Sequence, residues 1–189
     1  MRVAIYCGSA EGHSEDYVKR VWSLGQYLAK QGVDVVYGGG NVGLMAVIAN
    51  AVLDAGGKVI GVIPNHLKQK EIAHLGLTEL HIVADMHERK AKMMALADAF
   101  VALPGGVGTL EEIFEAWTWG QLGLHQKACA FYNVKGFYDP LFTMVESMQA
   151  AGFVKPAYLD MLIRESTPET LLAALRSYQA PIAKWSKGE

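Results

Sequence analysis

The chain has 189 residues, 51 % hydrophobic and 19 % charged, with a formal net charge of −2. That length and balance suit one globular domain with a full core and exclude a disordered chain. The slight acidity speaks against an affinity built on nucleic-acid phosphates, and no apolar run approaches the about 18 residues that span a bilayer.

Met1 to Tyr6 enters a strand directly, without a charged n-region and apolar h-region, so a soluble cytoplasmic protein is expected. Val3–Cys7 is the first predicted strand, and Tyr17, Val21, Leu24 and Leu28 mark the apolar face of the first helix. Val33–Tyr37 is the second strand, broken by Gly38-Gly39-Gly40. Gly43 then opens a helix to about Leu53. Val59–Ile63 and Leu80–Val83 are the third and fourth strands, joined through a long segment, 65–78, that reads as a mobile flap. A helix from Met86 to Ala97 precedes a strand at Ala99–Leu103. An amphipathic helix with Leu110, Ile113, Phe114, Trp117 and Leu122 on one face leads to a strand at Ala128–Tyr132. Pro140–Met148 reads as a helix, Leu162–Arg164 as a short edge strand and Pro168–Leu175 as the last helix. The alternation predicts an α/β fold, a parallel sheet covered by helices on both faces. A single domain over residues 1–180 is expected, with a frayed tail from 181.

Right-handed crossovers place every strand's carboxyl end on one edge, where ligands bind in such sheets. The loops there are Gly8-Ser9-Ala10, Gly38-Gly39-Gly40, the residues after Pro64, Asp85-Met86 and Pro104–Thr109. The last is the most informative. Pro104-Gly105-Gly106-Val107-Gly108-Thr109 joins a buried strand to a helix, so bare backbone N–H groups and the helix dipole make a seat for a phosphate. Glu111 and Glu112 follow within one turn. A pure phosphate clamp would not ask for them, because carboxylates repel the ligand. They suggest chemistry. The same residues admit a local reading, in which Thr109 caps the helix and Glu112 folds back onto its N–H.

Arg89 and Lys90 stand near the start of another helix on the same edge, where cations oppose the macrodipole. An anion between them would relieve the conflict; the plainer reading is an exposed basic pair. Met86 is a candidate for the pocket wall. Gly38-Gly39-Gly40-Asn41-Val42-Gly43 contains a lone G-x-G-x-x-G, a weak signal, and no P-loop occurs. Ser9 lies outside any nucleophile elbow and reads as a hydrogen-bond donor to a ligand. The six histidines show no metal-ligand spacing, and Cys7 and Cys129 read as buried reduced thiols.

Taken together, Cys7-Gly8-Ser9, Tyr37-Gly38-Gly39-Gly40 with Gly43-Leu44-Met45, Met86-His87-Glu88-Arg89-Lys90-Ala91, Pro104–Glu112 and Trp119-Gly120-Gln121-Leu122-Gly123 resemble the Lonely Guy (LOG) family over roughly residues 2–178. Its pattern is P-G-G-x-G-T-x-x-E, and many members carry the label lysine decarboxylase. The resemblance implies a Rossmann-like nucleotide-binding domain, usually a homodimer, that cleaves the N-glycosidic bond of cytokinin riboside 5′-monophosphates or AMP, with no cofactor and no metal. It implies catalytic roles for Arg89 and Glu112. It implies a nucleotide seat at Gly105, Gly106, Gly108 and Thr109, with substrate contacts from Arg89, Lys90, Glu111, Glu71 in the flap segment and Thr118. Ser9, Gly39 and Met86 complete the expected substrate-binding set. Two departures bear on pocket shape: Val107 stands where plant-like members often have Tyr, and Ala46 ends the second glycine block.

Cleaving the base–ribose bond builds oxocarbenium character, which a carboxylate stabilises while orienting water. A lysine decarboxylase would instead need pyridoxal phosphate on a lysine and a far larger fold. The rival of another class is a non-catalytic module binding nucleotides or single-stranded nucleic acid, which the net charge and the glutamate pair disfavour.

Overall fold

In the computed structural model, which describes residues 1–68 and 73–182, seven parallel strands form one sheet. In chain order the elements are β1 (Arg2–Tyr6), α1 (Glu15–Lys30), β2 (Asp34–Tyr37), α2 (Gly43–Asp54), β3 (Val59–Pro64), β4 (Glu79–Val83), α3 (Met86–Leu96), β5 (Ala99–Ala102), α4 (Val107–Gln121), β6 (Ala128–Tyr132), a 3-10 turn (Val134–Gly136), α5 (Asp139–Ala150), α6 (Pro156–Leu159), β7 (Leu162–Glu165) and α7 (Pro168–Ser177).

Five of these strands, β1, β2, β3, β5 and β6, are short buried apolar runs, as a parallel sheet covered by helices on both faces demands. Side chains alternate between two cores. Val3, Ile5, Val35, Tyr37 and Val101 face α1, α2 and α7, meeting Leu24, Ile48 and Leu172. Ala4, Tyr6, Val36, Val62 and Phe100 face α3 to α6, meeting Met93, Ile113, Trp117 and Phe142. α1 starts where Ser14 accepts from the Asp16 N–H at 3.3 Å, and acidic Glu15 and Asp16 complement its dipole. Gly25 lets it lie close on α2, since a Cβ there would stand 2.7 Å from that of Ala51.

The strand order is β4-β3-β2-β1-β5-β6-β7. The chain winds outward from β1 to β4, crosses back to β5 beside β1, and winds outward the other way. The reversal between β1 and β5 is where such sheets open a crevice at their carboxyl ends. Tyr6 pairs with Ala102 at that end, so the loops after β1 and β5 are neighbours.

The observed elements match the expected ones except in three places. α4 begins at Val107, inside the expected turn, because Gly106 takes the N-cap position. The 3-10 turn and α6 are too short to leave a periodic signal. The described residues of the 65–78 segment are tied down: Ala73 bridges Gly40, the His74 N–H donates to the Gly39 carbonyl at 3.0 Å, and its Nε2 lies 2.9 Å from Asn50 Oδ1. Among the described residues no helix is long and apolar enough to cross a membrane.

Candidate active site

The two central loops are zipped together. The Leu103 N–H donates to the Tyr6 carbonyl at 2.9 Å, and the Gly8 N–H to the Pro104 carbonyl at 3.1 Å. Behind them the Tyr138 hydroxyl donates to the Leu103 carbonyl at 2.6 Å. Gly105 sits against Gly8 and the Thr109 hydroxyl, leaving no room for a Cβ. Gly106 caps α4 without a side chain, so no cap side chain covers the first-turn N–H groups of Val107, Gly108 and Thr109. Thr109 lies in that first turn rather than at the cap, so the capping box is not formed around it.

A cleft of about 400 Å³ opens in front of this turn. Ser9 and Gly8 from the β1 loop form one wall, and Gly106 to Thr109 another. Met45, Leu67 and Met86 supply an apolar wall, and Arg89, Glu111 and Glu112 the charges.

Arg89 is 6 % exposed, contrary to the plainer reading of an exposed pair. It leaves α3 and crosses the carboxyl ends of β2 and β3. Its Nε donates to the Val62 carbonyl at 3.2 Å and its Nη2 to the Gly38 carbonyl at 3.0 Å. α3 itself is capped by Asp85, which accepts from the Glu88 N–H at 2.9 Å, so the helix start is satisfied without the arginine.

Glu112 reaches the same cleft from α4. Its charge is felt at the β1 end. Burial pushes the Tyr6 phenol and the Cys7 thiol well up, and Glu112 is the next cause in both; at Cys7 the Arg89 charge partly offsets it. Cys7 is therefore held as a neutral thiol, a poor nucleophile, and burial pushes Cys129 up to about 12. The Glu112 carboxylate, beside a helix start with no cap side chain, can stabilise a sugar cation whose phosphate is anchored, while the buried Arg89 guanidinium can hold a negatively charged or departing group.

Of the residues singled out in the sequence, Ser9, Met86, Arg89, Gly106, Gly108, Thr109, Glu111 and Glu112 line the cleft. Gly105 backs the turn from beneath. Gly39 faces Ile63 and Leu80 instead. Lys90 turns to Glu111 and Glu115, bonding Oε atoms at 2.6 and 3.1 Å. Thr118 is exposed on α4, its hydroxyl donating to the Phe114 carbonyl at 2.7 Å. Glu71 lies outside the described residues. Gly38, Met45, Leu67 and Cys7 also line the cleft without having been singled out as site residues; their signals were a place at a strand end for Gly38 and Cys7, the Gly43-Leu44-Met45 block for Met45 and the loop after Pro64 for Leu67. Among the described residues no three His, Cys, Asp or Glu side chains converge as a metal site.

Residues 45–175 match the family described as "Possible lysine decarboxylase". The cytokinin riboside 5′-monophosphate phosphoribohydrolase of Rhodococcoides fascians is 47 % identical over 176 residues, covering 93 % of this chain and 89 % of that protein. One from Arabidopsis thaliana is 41 % identical over 177 residues, covering 94 % and 82 %. Among solved structures, the molybdenum cofactor binding protein of Rippkaea orientalis superposes with a TM-score of 0.70 at 20 % identity, covering 93 % of this chain and 95 % of that one. DNA processing protein A of Helicobacter pylori, a single-stranded DNA binder, gives 0.59 at 16 % identity, covering 93 % and 80 %. Both share the Rossmann-like fold. With whole-chain identity above 40 % to phosphoribohydrolases of that name, and with the family's motifs gathered on one cleft, the chain belongs to the Lonely Guy family.

Proposed function

We propose that this protein is a phosphoribohydrolase, an N-glycosyl hydrolase that cleaves a cytokinin riboside 5′-monophosphate, AMP, or both, into free base and ribose 5-phosphate. One observation carries the reading: Arg89 and Glu112, from different helices, line one cleft beside the uncovered start of α4. The names of the curated relatives support it.

In this reading the 5′-phosphate sits on the N–H groups at Gly106 to Thr109, with Ser9 opposite. At 1.5 Å per residue, Glu112 lies roughly 8 Å along α4 from Val107, the scale of a ribose 5-phosphate. The anchored phosphate therefore presents C1′ to the Glu112 carboxylate and lowers the entropic part of the barrier. Glu112 stabilises the oxocarbenium-like transition state and orients the attacking water. Arg89, held by two backbone carbonyls, positions the nucleotide and aids departure of the base. Gly106 and Gly108 support the seat independently. A Cβ at either would meet nothing of the protein within 4 Å, so packing does not explain their glycines, whereas close approach of a ligand does.

Glu112→Gln should bind AMP yet release adenine about 10²–10³-fold more slowly, by analogy with loss of one preorganised electrostatic group. Near-normal turnover by chromatography sinks the assignment. Parallel assays on AMP and isopentenyladenosine 5′-monophosphate decide the base, and cadaverine from lysine would instead support a decarboxylase. Retention on single-stranded DNA without nucleotide cleavage would favour the binding module. We further propose a cytoplasmic location and a homodimer; the apolar Leu122 and Leu124, exposed beyond α4, support the dimer, and light scattering should give twice the 20.6 kDa chain.

A further inference from the structure

α3 carries the adjacent pair Arg89-Lys90 and α4 the adjacent pair Glu111-Glu112. Neighbouring residues on a helix diverge by roughly 100°, so the pairs split their tasks. Arg89 and Glu112 line the cleft, and Glu111 borders it as well while meeting Lys90. Lys90 turns toward α4, where its Nζ donates to Glu111 Oε1 at 2.6 Å and to Glu115 Oε1 at 3.1 Å, with Glu115 Oε2 also 3.1 Å away.

We infer that Lys90 is a positioning residue, its ammonium bridging Glu111 and Glu115 across α3 and α4 and so fixing Arg89 relative to Glu112. This rests on the catalytic reading of those two residues given above.

Three observations support it. First, α3 rests on β1 to β4, whereas α4 rests on β1, β5 and β6. Of these strands only β1 supports both helices, so a link from Lys90 on α3 to Glu111 and Glu115 in the second and third turns of α4 bears on the width of the cleft. Second, the Lys90 side chain is only 12 % exposed and Glu115 is part-buried, whereas Glu111 is half exposed, so the Glu115 arm of the bridge is the less screened of the two. Burial by itself would favour a neutral amine; the bonds to Glu111 and Glu115 outweigh it and hold the ammonium above its ordinary value. Third, Lys90 is absent from the cleft wall that Arg89 helps to form, so its charge acts on the glutamates and reaches the substrate only through them.

The test compares Lys90→Met, Lys90→Arg, the double variant Glu111→Gln/Glu115→Gln, and the double variant carrying Lys90→Met. With AMP as substrate, Lys90→Met should lower kcat about tenfold or more through misplacement of Arg89, while the calorimetric Kd for AMP changes less than about threefold. Lys90→Arg should recover most of kcat. Adding Lys90→Met to the glutamine pair should cost little more, because residues acting as one unit are non-additive. An AMP affinity weakened about tenfold by Lys90→Met, additive with the glutamine pair, would mean direct substrate contact and overturn the inference. An unchanged kcat, with or without a lower melting temperature, would also overturn it. If the wild type releases no base, the proposed function fails separately. The clamp is then judged on a crystal structure of Lys90→Met, where an unchanged Cα separation of residues 89 and 112 overturns it.

Discussion

At position 38 the missing side chain makes room for a guanidinium. A Cβ on Gly38 would overlap Arg89 Nη2 and stand 2.7 Å from the Met45 methyl. Both are the far ends of flexible side chains, and Gly38 does not adopt a left-handed φ. Gly38→Ala should therefore fold, but with the arginine swung off the Gly38 carbonyl. Turnover should fall about 10²-fold, the scale of loss for a group displaced by an ångström, while the melting temperature drops little. Turnover near the wild-type level would mean that the Arg89 placement does not matter to the chemistry. The arginine was legible in the sequence as a cation on the ligand edge, but its burial was not. The carbonyls that hold it are 27 and 51 residues away, beyond any local periodicity. The Thr109–Glu112 spacing misled in the opposite sense: it fits a capping box, yet the helix starts three residues earlier than that box requires.

Two histidines fasten elements in the same way. His74 Nδ1 accepts from the Gly76 N–H at 3.1 Å while Nε2 faces Asn50 Oδ1 on α2 at 2.9 Å. His125 Nδ1 accepts from the Lys127 N–H at 3.1 Å while Nε2 faces the Ala116 carbonyl of α4 at 2.8 Å. These partners assign the neutral tautomer with the proton on Nε2. Protonating Nδ1 would break the bond from the backbone N–H. Burial is the leading cause holding both rings below their ordinary value of 6.5. The sign follows: the unfolded chain takes up these protons first, so stability is present above the ordinary value and is lost as pH falls through the folded one. Melting temperature should decline between about pH 7.5 and 5.5, and His74→Gln/His125→Gln should flatten the decline while lowering the value at the upper end. An equally steep decline in the double variant would assign the acid sensitivity to other groups.

The sheet was readable because strands buried on both faces leave unbroken apolar runs such as Ala99–Leu103 and Ala128–Tyr132, whereas β4, half-exposed at the edge, left a weaker one. What no run of residues encodes is which strands adjoin, and the site depends on that. With β5 beside β1, the cleft draws Ser9, Gly38 and Arg89 from the portion of the chain that winds out to β4 and back, and Gly106 to Glu112 from the portion that begins at β5. A nucleotide held by both should brace the fold across the reversal. A ligand that binds only the folded state at a hundred times its Kd adds about 2.7 kcal/mol of stability. For a chain of this size that amounts to a rise of roughly 5–10 °C. Glu112→Gln is the suitable protein, since it should hold AMP without consuming it. Ribose 5-phosphate, which keeps the phosphate seat and loses the base, should give a smaller rise, and adenine alone less still. Equal shifts for adenine and AMP would mean that the phosphate seat at the start of α4 does not anchor the ligand, and C1′ would then not be presented to Glu112 in the way proposed.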